Sequence, residues 1–139
     1  MALPAMVKLT PEMTEAFKAT KYFAMATASK NGDPNVVPIG MAILMDDETV
    51  WIGNQFMSQT LKNVLENPRV ALLVWTPGIV GCLKVKGDVK VIDSGPDYIK
   101  MKGLVKERKP KLECKGLLAM KITDVYDCRS GADAGKRLL

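Results

Sequence analysis

Two short stretches of this 139-residue sequence combine residue types that could hold an anion and a flat ring. The first is Gly53-Asn54-Gln55-Phe56-Met57-Ser58-Gln59-Thr60, which reads as a strand end running into a helix start. A helix start leaves backbone amides unpaired and carries a partial positive charge. The hydroxyls of Ser58 and Thr60 add donors, so the stretch suits an anion, a phosphate above all. Ser58 also reads as a plain N-cap. The second stretch is Val36-Val37-Pro38-Ile39-Gly40. Proline has no amide to donate and glycine weakens a ladder, while the residues around them stay apolar. Such a segment could lie against a ring and offer backbone groups to its polar edge. Taken alone, it reads first as a simple strand bulge.

What the sequence lacks narrows the chemistry. It contains no histidine, which removes Ser-His-Asp and Cys-His mechanisms and the commonest proton-transfer side chain. The three tyrosines, Tyr22, Tyr98 and Tyr126, read as core or interface residues. No side chain stands out as catalytic, so chemistry falls to a bound cofactor. The three cysteines, at 82, 114 and 128, are odd in number, and no two are close in sequence. That spacing points to reduced thiols rather than a disulfide framework or a metal site. The net charge of +5 is concentrated over residues 100–115, in Lys100, Lys102, Lys106, Arg108, Lys109, Lys111 and Lys115 against Glu107 and Glu113. A basic surface can attract nucleic acid or small anions, and it also reads as a solvated face around a loop. Aromatic residues make up only 6% of the chain and do not cluster, which argues against a nucleic-acid-binding β-barrel.

The elements that must position these stretches are legible. Thr10 and Pro11 suit a helix cap and first position, predicting a helix over 11–19. Strands are expected over 22–29, 35–45, 49–53, 69–76, 80–93 and 116–126. Asn31-Gly32 marks a hairpin between the first two, and Pro38 and Gly40 require the second to bend or bulge. Leu61, Val64 and Leu65 have helical spacing over 59–66, which Asn67-Pro68 ends. Lys84, Lys86, Asp88 and Lys90 alternate with Leu83, Val85, Val89 and Val91, so that strand has one wet and one buried face. Gly95-Pro96-Asp97 opens another helix, with Tyr98, Met101, Leu104 and Val105 on one face. There is no repeat or linker, so residues 1–139 read as one domain. The expected fold is a mainly β, six-stranded antiparallel sheet that curls and closes, with short flanking helices. No apolar run approaches the roughly 20 residues of a membrane span. Met1 to Leu9 lacks a signal-peptide pattern, and the expected location is cytoplasmic.

The ordered set Asn31-Gly32-x-Pro34-x-Val36-Val37-Pro38-Ile39-Gly40, Asp46-Asp47, Trp51-Ile52-Gly53, Ser58-Gln59-Thr60-x-x-Asn63, Asn67-Pro68-Arg69-Val70-Ala71 and Lys86-Gly87 resembles the pyridoxamine 5′-phosphate oxidase-like FMN-binding split-barrel family, its short flavin-binding members most of all. The match covers about residues 15–126. The resemblance implies a split β-barrel with Greek-key connections and a homodimer holding one flavin mononucleotide (FMN) per subunit at the interface. By that analogy Val37, Pro38, Ile39 and Gly40 line the ring. Asn54, Gln55, Phe56 and Met57 wrap the ring edge and ribityl chain, and Ser58, Gln59 and Thr60 meet the phosphate. Lys115 and residues near Tyr126 of the second subunit would complete the pocket.

The sequence departs from the family pattern twice. Many relatives carry lysine where this chain has Gln59, which leaves Lys62, Lys84 or Lys86 to supply the charge. The arginine-rich substrate motifs of the true oxidases are not evident, so vitamin B6 oxidation is not assigned. The implied function is an FMN-dependent oxidoreductase or electron carrier whose redox partner, small molecule or protein, the sequence does not name. Related barrels use a deazaflavin, whose acidic tail the basic stretch could receive, or haem, for which no histidine is present as an axial ligand.

Overall fold

The computed structural model describes residues 7–139. The signal-peptide reading of the first residues therefore falls largely outside the described chain. Helix α1 (Pro11–Ala19) begins as expected, with the Thr10 hydroxyl accepting the Met13 amide at 3.2 Å. Strands β1 (Phe23–Ala28) and β2 (Pro34–Ile39) form the Asn-Gly hairpin. Strands β3 (Ala42–Leu44) and β4 (Thr49–Asn54) form a second hairpin, followed by α2 (Gln59–Glu66). Strands β5 (Arg69–Thr76) and β6 (Gly81–Ile92) form a third. Helix α3 (Pro96–Arg108) connects β6 to β7 (Gly116–Asp127).

All pairings are antiparallel, in the order β2-β1-β5-β6-β7-β4-β3. The two edge strands, β2 and β3, are separated in sequence only by Gly40 and Met41. One bent strand thus spans both edges, and the sheet curls into a split barrel whose seam is closed by the chain itself. From β4 the chain returns through α2 to β5, beside β1, a Greek-key connection.

The six strands expected from sequence become seven here. Proline at 38 and glycine at 40 weaken pairing enough that the segment lets go of β1 after Ile39 and pairs with β4 from Ala42.

Alternation along β5 and β6 sends Val70, Leu72, Val74, Leu83, Val85 and Val89 into the barrel. There they join Met25, Ile52, Leu118, Met120 and Ile122, and α1 closes one end with Phe17 against Phe23, ring centroids 4.7 Å apart. Each fully buried aliphatic side chain of this size contributes about 1.5–3 kcal/mol. A second cluster outside the barrel packs Met101 and Val105 of α3 against Met41, Trp51 and Leu117. The register slips between Lys86 and Gly87. A Cβ at Gly87 would run into the Lys121 carbonyl, so the bulge needs a glycine. The tail folds back along β7, with the Leu138 amide donating to the Val125 carbonyl at 2.8 Å.

Candidate functional site

A cavity of about 350 Å³ opens at the barrel seam, within the roughly 300–1,000 Å³ of small-molecule sites. The bend supplies Val37, Pro38, Ile39, Gly40 and Met41. The run from the end of β4 into α2 supplies Gly53, Gln55, Phe56, Met57, Ser58, Gln59 and Thr60, and the segment after α3 supplies Lys109 and Leu112. The structure therefore brings both sequence stretches to one cavity. Val36, at the edge of the second stretch, lines a neighbouring hollow, and Asn54 is the exception among the residues expected to touch the cofactor. It is buried, its Oδ1 accepts the Met57 amide at 2.9 Å, and its carbonyl accepts the Lys115 amide at 2.7 Å. It shapes the loop instead of lining the cavity.

Helix α2 starts without a side-chain cap, since Ser58 makes no capping hydrogen bond. The first intrahelical bond runs from the Lys62 amide to the Ser58 carbonyl at 3.2 Å. The amides of residues 59–61 precede it, and no acidic residue stands in the first turn. Unpaired amide donors, a helix dipole and the exposed Ser58 hydroxyl suit an anionic group.

A chain of polar side chains holds this helix start in place. Gln59 Nε2 donates to Asn63 Oδ1 at 2.9 Å, and Asn63 Nδ2 donates to Thr27 Oγ1 at 3.0 Å. Asn35 Nδ2 lies 3.1 Å from both Thr27 Oγ1 and Thr60 Oγ1. Thr27, Thr60 and Asn63 are all buried. Buried polar groups are costly unless they are bonded to one another, so the network ties α2 to β1 and β2. Thr60 Oγ1 accepts from Asn35. Sequence reasoning placed Thr27 and Asn35 on strands and gave them no role. Their only local signal is that they are polar on an otherwise apolar hairpin.

Among the described residues, Lys109 is the one charged residue lining the cavity. Its Nζ stands 3.2 Å from the position a Gly40 Cβ would take, with Tyr22 Cε1 at 3.3 Å. Glycine at 40 keeps this approach open. The sequence held Lys109 within the basic run without singling it out, because only the fold brings the end of α3 to the seam. The lysines considered as substitutes for a charge at 59 lie elsewhere in this chain. Lys62 is exposed on α2, and the Nζ atoms of Lys84 and Lys86 each sit 5.0 Å from the Tyr126 ring centroid.

Two neighbouring hollows share residues with the cavity. One, of about 490 Å³, meets it at Gly40 and carries Lys18, Lys21 and Arg108, with no acidic residue among the described residues that line it. The other, of about 400 Å³, shares Val37 and Pro38 and lies among Tyr22, Val36, Leu73 and Trp75. Tyr22, Val36 and Trp75 are 65%, 66% and 68% exposed, a contiguous apolar face of the kind that marks an interaction surface.

The fold and this seam define the class: a split β-barrel with a cofactor-sized cleft beside a bare helix start. Residues 9–129 match the family model of pyridoxamine 5′-phosphate oxidase, and the chain belongs to that family. It is 40% identical over 139 residues to an uncharacterized protein of Methanocaldococcus jannaschii, covering 95% of this chain and 89% of that one. HupZ of Group A Streptococcus shares the fold at a TM-score of 0.78 and 22% identity, over 91% of this chain and 99% of that one. An FMN-binding protein of Syntrophomonas wolfei does so at 0.71 and 14%, over 86% and 90%. The same fold carries an F420 reductase (0.61, 21%, over 81% and 94%) and HutZ, the haem storage protein of Vibrio cholerae (0.64, 15%, over 87% and 95%).

Proposed function

We propose that this protein binds FMN in the seam cavity and works as a cytoplasmic FMN-dependent oxidoreductase or electron carrier. One observation carries the reading: an apolar, bent-strand wall and an uncapped helix start face the same cavity of about 350 Å³. A planar ring needs the first and a phosphate needs the second. Val37, Pro38, Ile39 and Gly40 would lie against the ring. Gln55, Phe56 and Met57 would follow its edge and the ribityl chain, with Asn54 fixing the Met57 amide. Ser58, Gln59 and Thr60 would hold the phosphate with backbone amides and hydroxyls. Lys109 adds positive charge beside an anionic cofactor. FMN, when bound, supplies hydride or electron transfer. The chain's own part is to hold the ring, to set its surroundings and to limit access of water.

The active unit in this reading is a homodimer. The exposed face around Tyr22, Val36 and Trp75 runs into the cavity through Val37 and Pro38, so a second copy placed there would cover the apolar surface and wall the site. Tyr126 lies on the wall flanked by Lys84 and Lys86. Lys115, tied through its amide to Asn54, lies behind the cavity loop. Either could serve the other subunit's site.

The basic hollow at Gly40 favours a second reading, a deazaflavin in place of FMN. Lys18, Lys21 and Arg108 would receive its acidic tail. Titration of the purified protein with FMN, F420 and haem separately decides between them. FMN binding is expected to be the tightest, with quenched flavin fluorescence and a stoichiometry of one per chain in a dimer. An unperturbed FMN spectrum alongside tight F420 binding would overturn the first reading in favour of the second.

A further inference from the structure

The cysteines that are remote in sequence are not remote in the fold. Strand β6 pairs with β7 through Leu83 and Asp127, so the next position outward sets Cys82 against Cys128. The Cys128 amide donates to the Cys82 carbonyl at 2.9 Å. Directly opposed, hydrogen-bonded residues of an antiparallel pair have Cα atoms about 5.5 Å apart, inside the roughly 4.4–6.8 Å that disulfides occupy. The end of the strand is also held firmly. The Arg129 guanidinium lies 2.6 Å from Asp127 Oδ2, and the Arg129 amide donates to Asp127 Oδ1 at 2.8 Å, so Cys128 sits between two anchored residues. Both Cys82 and Cys128 are partly exposed. Cys114 is buried and donates its thiol to the Gly116 carbonyl.

We propose that Cys82 and Cys128 form a reversible intramolecular disulfide by exchange with a small-molecule disulfide, tying the start of β6 to the end of β7. One cysteine thiolate attacks a sulfur of the small disulfide and expels one thiolate. The second cysteine then attacks the protein sulfur of the mixed disulfide and expels the other. The two protein thiols lose two electrons and two protons, and the small disulfide becomes two thiols. Burial, and then the adjacent Cys128 thiol, push the Cys82 thiol above its ordinary pKa, which disfavours Cys82 as the first attacker. A disulfide of this kind in a cytoplasmic setting is a redox-responsive site rather than a permanent staple.

The test uses the full-length protein in glutathione buffers from reduced to oxidised, followed by alkylation of remaining thiols and peptide mapping. The expected product is a Cys82–Cys128 cross-link that reduced glutathione reverses, with Cys114 alkylated throughout. Oxidised protein melts at a higher temperature than reduced protein, because the bond closes a long loop. Cys82→Ser and Cys128→Ser should each replace the cross-link by one mixed disulfide with glutathione. The proposal is overturned if both cysteines stay alkylatable in fully oxidised glutathione, if each carries glutathione without a cross-link, or if cross-links join different chains. The wild-type map decides the matter even where a serine variant folds poorly.

Discussion

Along β5, β6 and β7 the ladder runs with one slip, at Gly87, and its inward residues are almost all aliphatic and fully buried. At the seam the ladder stops. β2 releases β1 after Ile39, β3 takes up β4 at Ala42, and residues 55–58 pair with no strand. The interior there is held by amides and hydroxyls, through Thr27, Asn35, Gln59, Thr60 and Asn63. The wall is stabilised by burial, which is large and undirected. The seam is held by directed hydrogen bonds, each smaller in net effect but geometrically specific. A cavity with accessible backbone donors can exist only where pairing is given up, so the candidate site belongs to the weaker region.

The largest effect is expected in the wall. Leu118 is fully buried, and Leu118→Ala should lower unfolding free energy by about 2–5 kcal/mol. Asn63→Ala at the seam leaves the Thr27 hydroxyl and the Gln59 amide short of a partner and should cost about 1–3 kcal/mol. Urea unfolding of both variants checks the ranking. A larger loss for Asn63→Ala than for Leu118→Ala would reverse the division of labour drawn here. The two variants should also separate in cofactor binding: Asn63→Ala loosens the α2 start and weakens FMN, whereas Leu118→Ala leaves the affinity of the folded protein near wild type.

The same contrast explains what could be read from the sequence. The wall was legible because alternation along 80–93 and the apolar run over 69–76 are local signals of period two. The bend was legible from Pro38 and Gly40, but not its consequence, since nothing local says that the two halves join opposite edges of the sheet. The residues around Gly40 and Ser58 could be named because each stretch is contiguous. Lys109 was not singled out, nor were Thr27 and Asn35, because they reach the site through tertiary packing across 25 or more residues of separation, as Asn35 does to Thr60. The Cys82–Cys128 pairing was missed for the same reason: register, not spacing, sets it.

A smaller effect tests the charge at the seam. Gln59→Lys keeps a donor for Asn63 and places a cation at the α2 start. A cation there opposes the helix dipole and slightly disfavours the free helix, by about 0.3–1 kcal/mol. It attracts a phosphate bearing nearly two negative charges. The expected result is FMN affinity raised several-fold at low salt, the gain shrinking as salt rises, with stability unchanged or slightly reduced. Isothermal titration at two ionic strengths measures it. Unchanged affinity would place the phosphate away from residue 59.

The smallest effect returns to the wall, whose outer surface carries its own charges. Burial pushes the Asp124 carboxyl up, but hydrogen bonds from Thr123, Tyr126 and Arg69 outweigh burial and hold it below the ordinary carboxylate range. Asp127 is held low in the same sense, first by the Arg129 side chain and then by its amide. A carboxylate whose pKa is lower folded than unfolded adds stability above the unfolded value of about 3.9, and that stability disappears as pH falls through the folded value. The wild-type protein should therefore lose stability on acidification below about pH 4, and Asp124→Asn should flatten part of that limb. Arg69 is 46% exposed on its side chain, so solvent and salt screen its share, and the flattening should be modest and smaller still in high salt. Gln59→Lys, remote from this cluster, should keep the wild-type acid limb. Thermal melts across the acid range compare the three proteins. An Asp124→Asn limb that superposes on wild type would show that the wall's acid sensitivity owes nothing to this carboxylate.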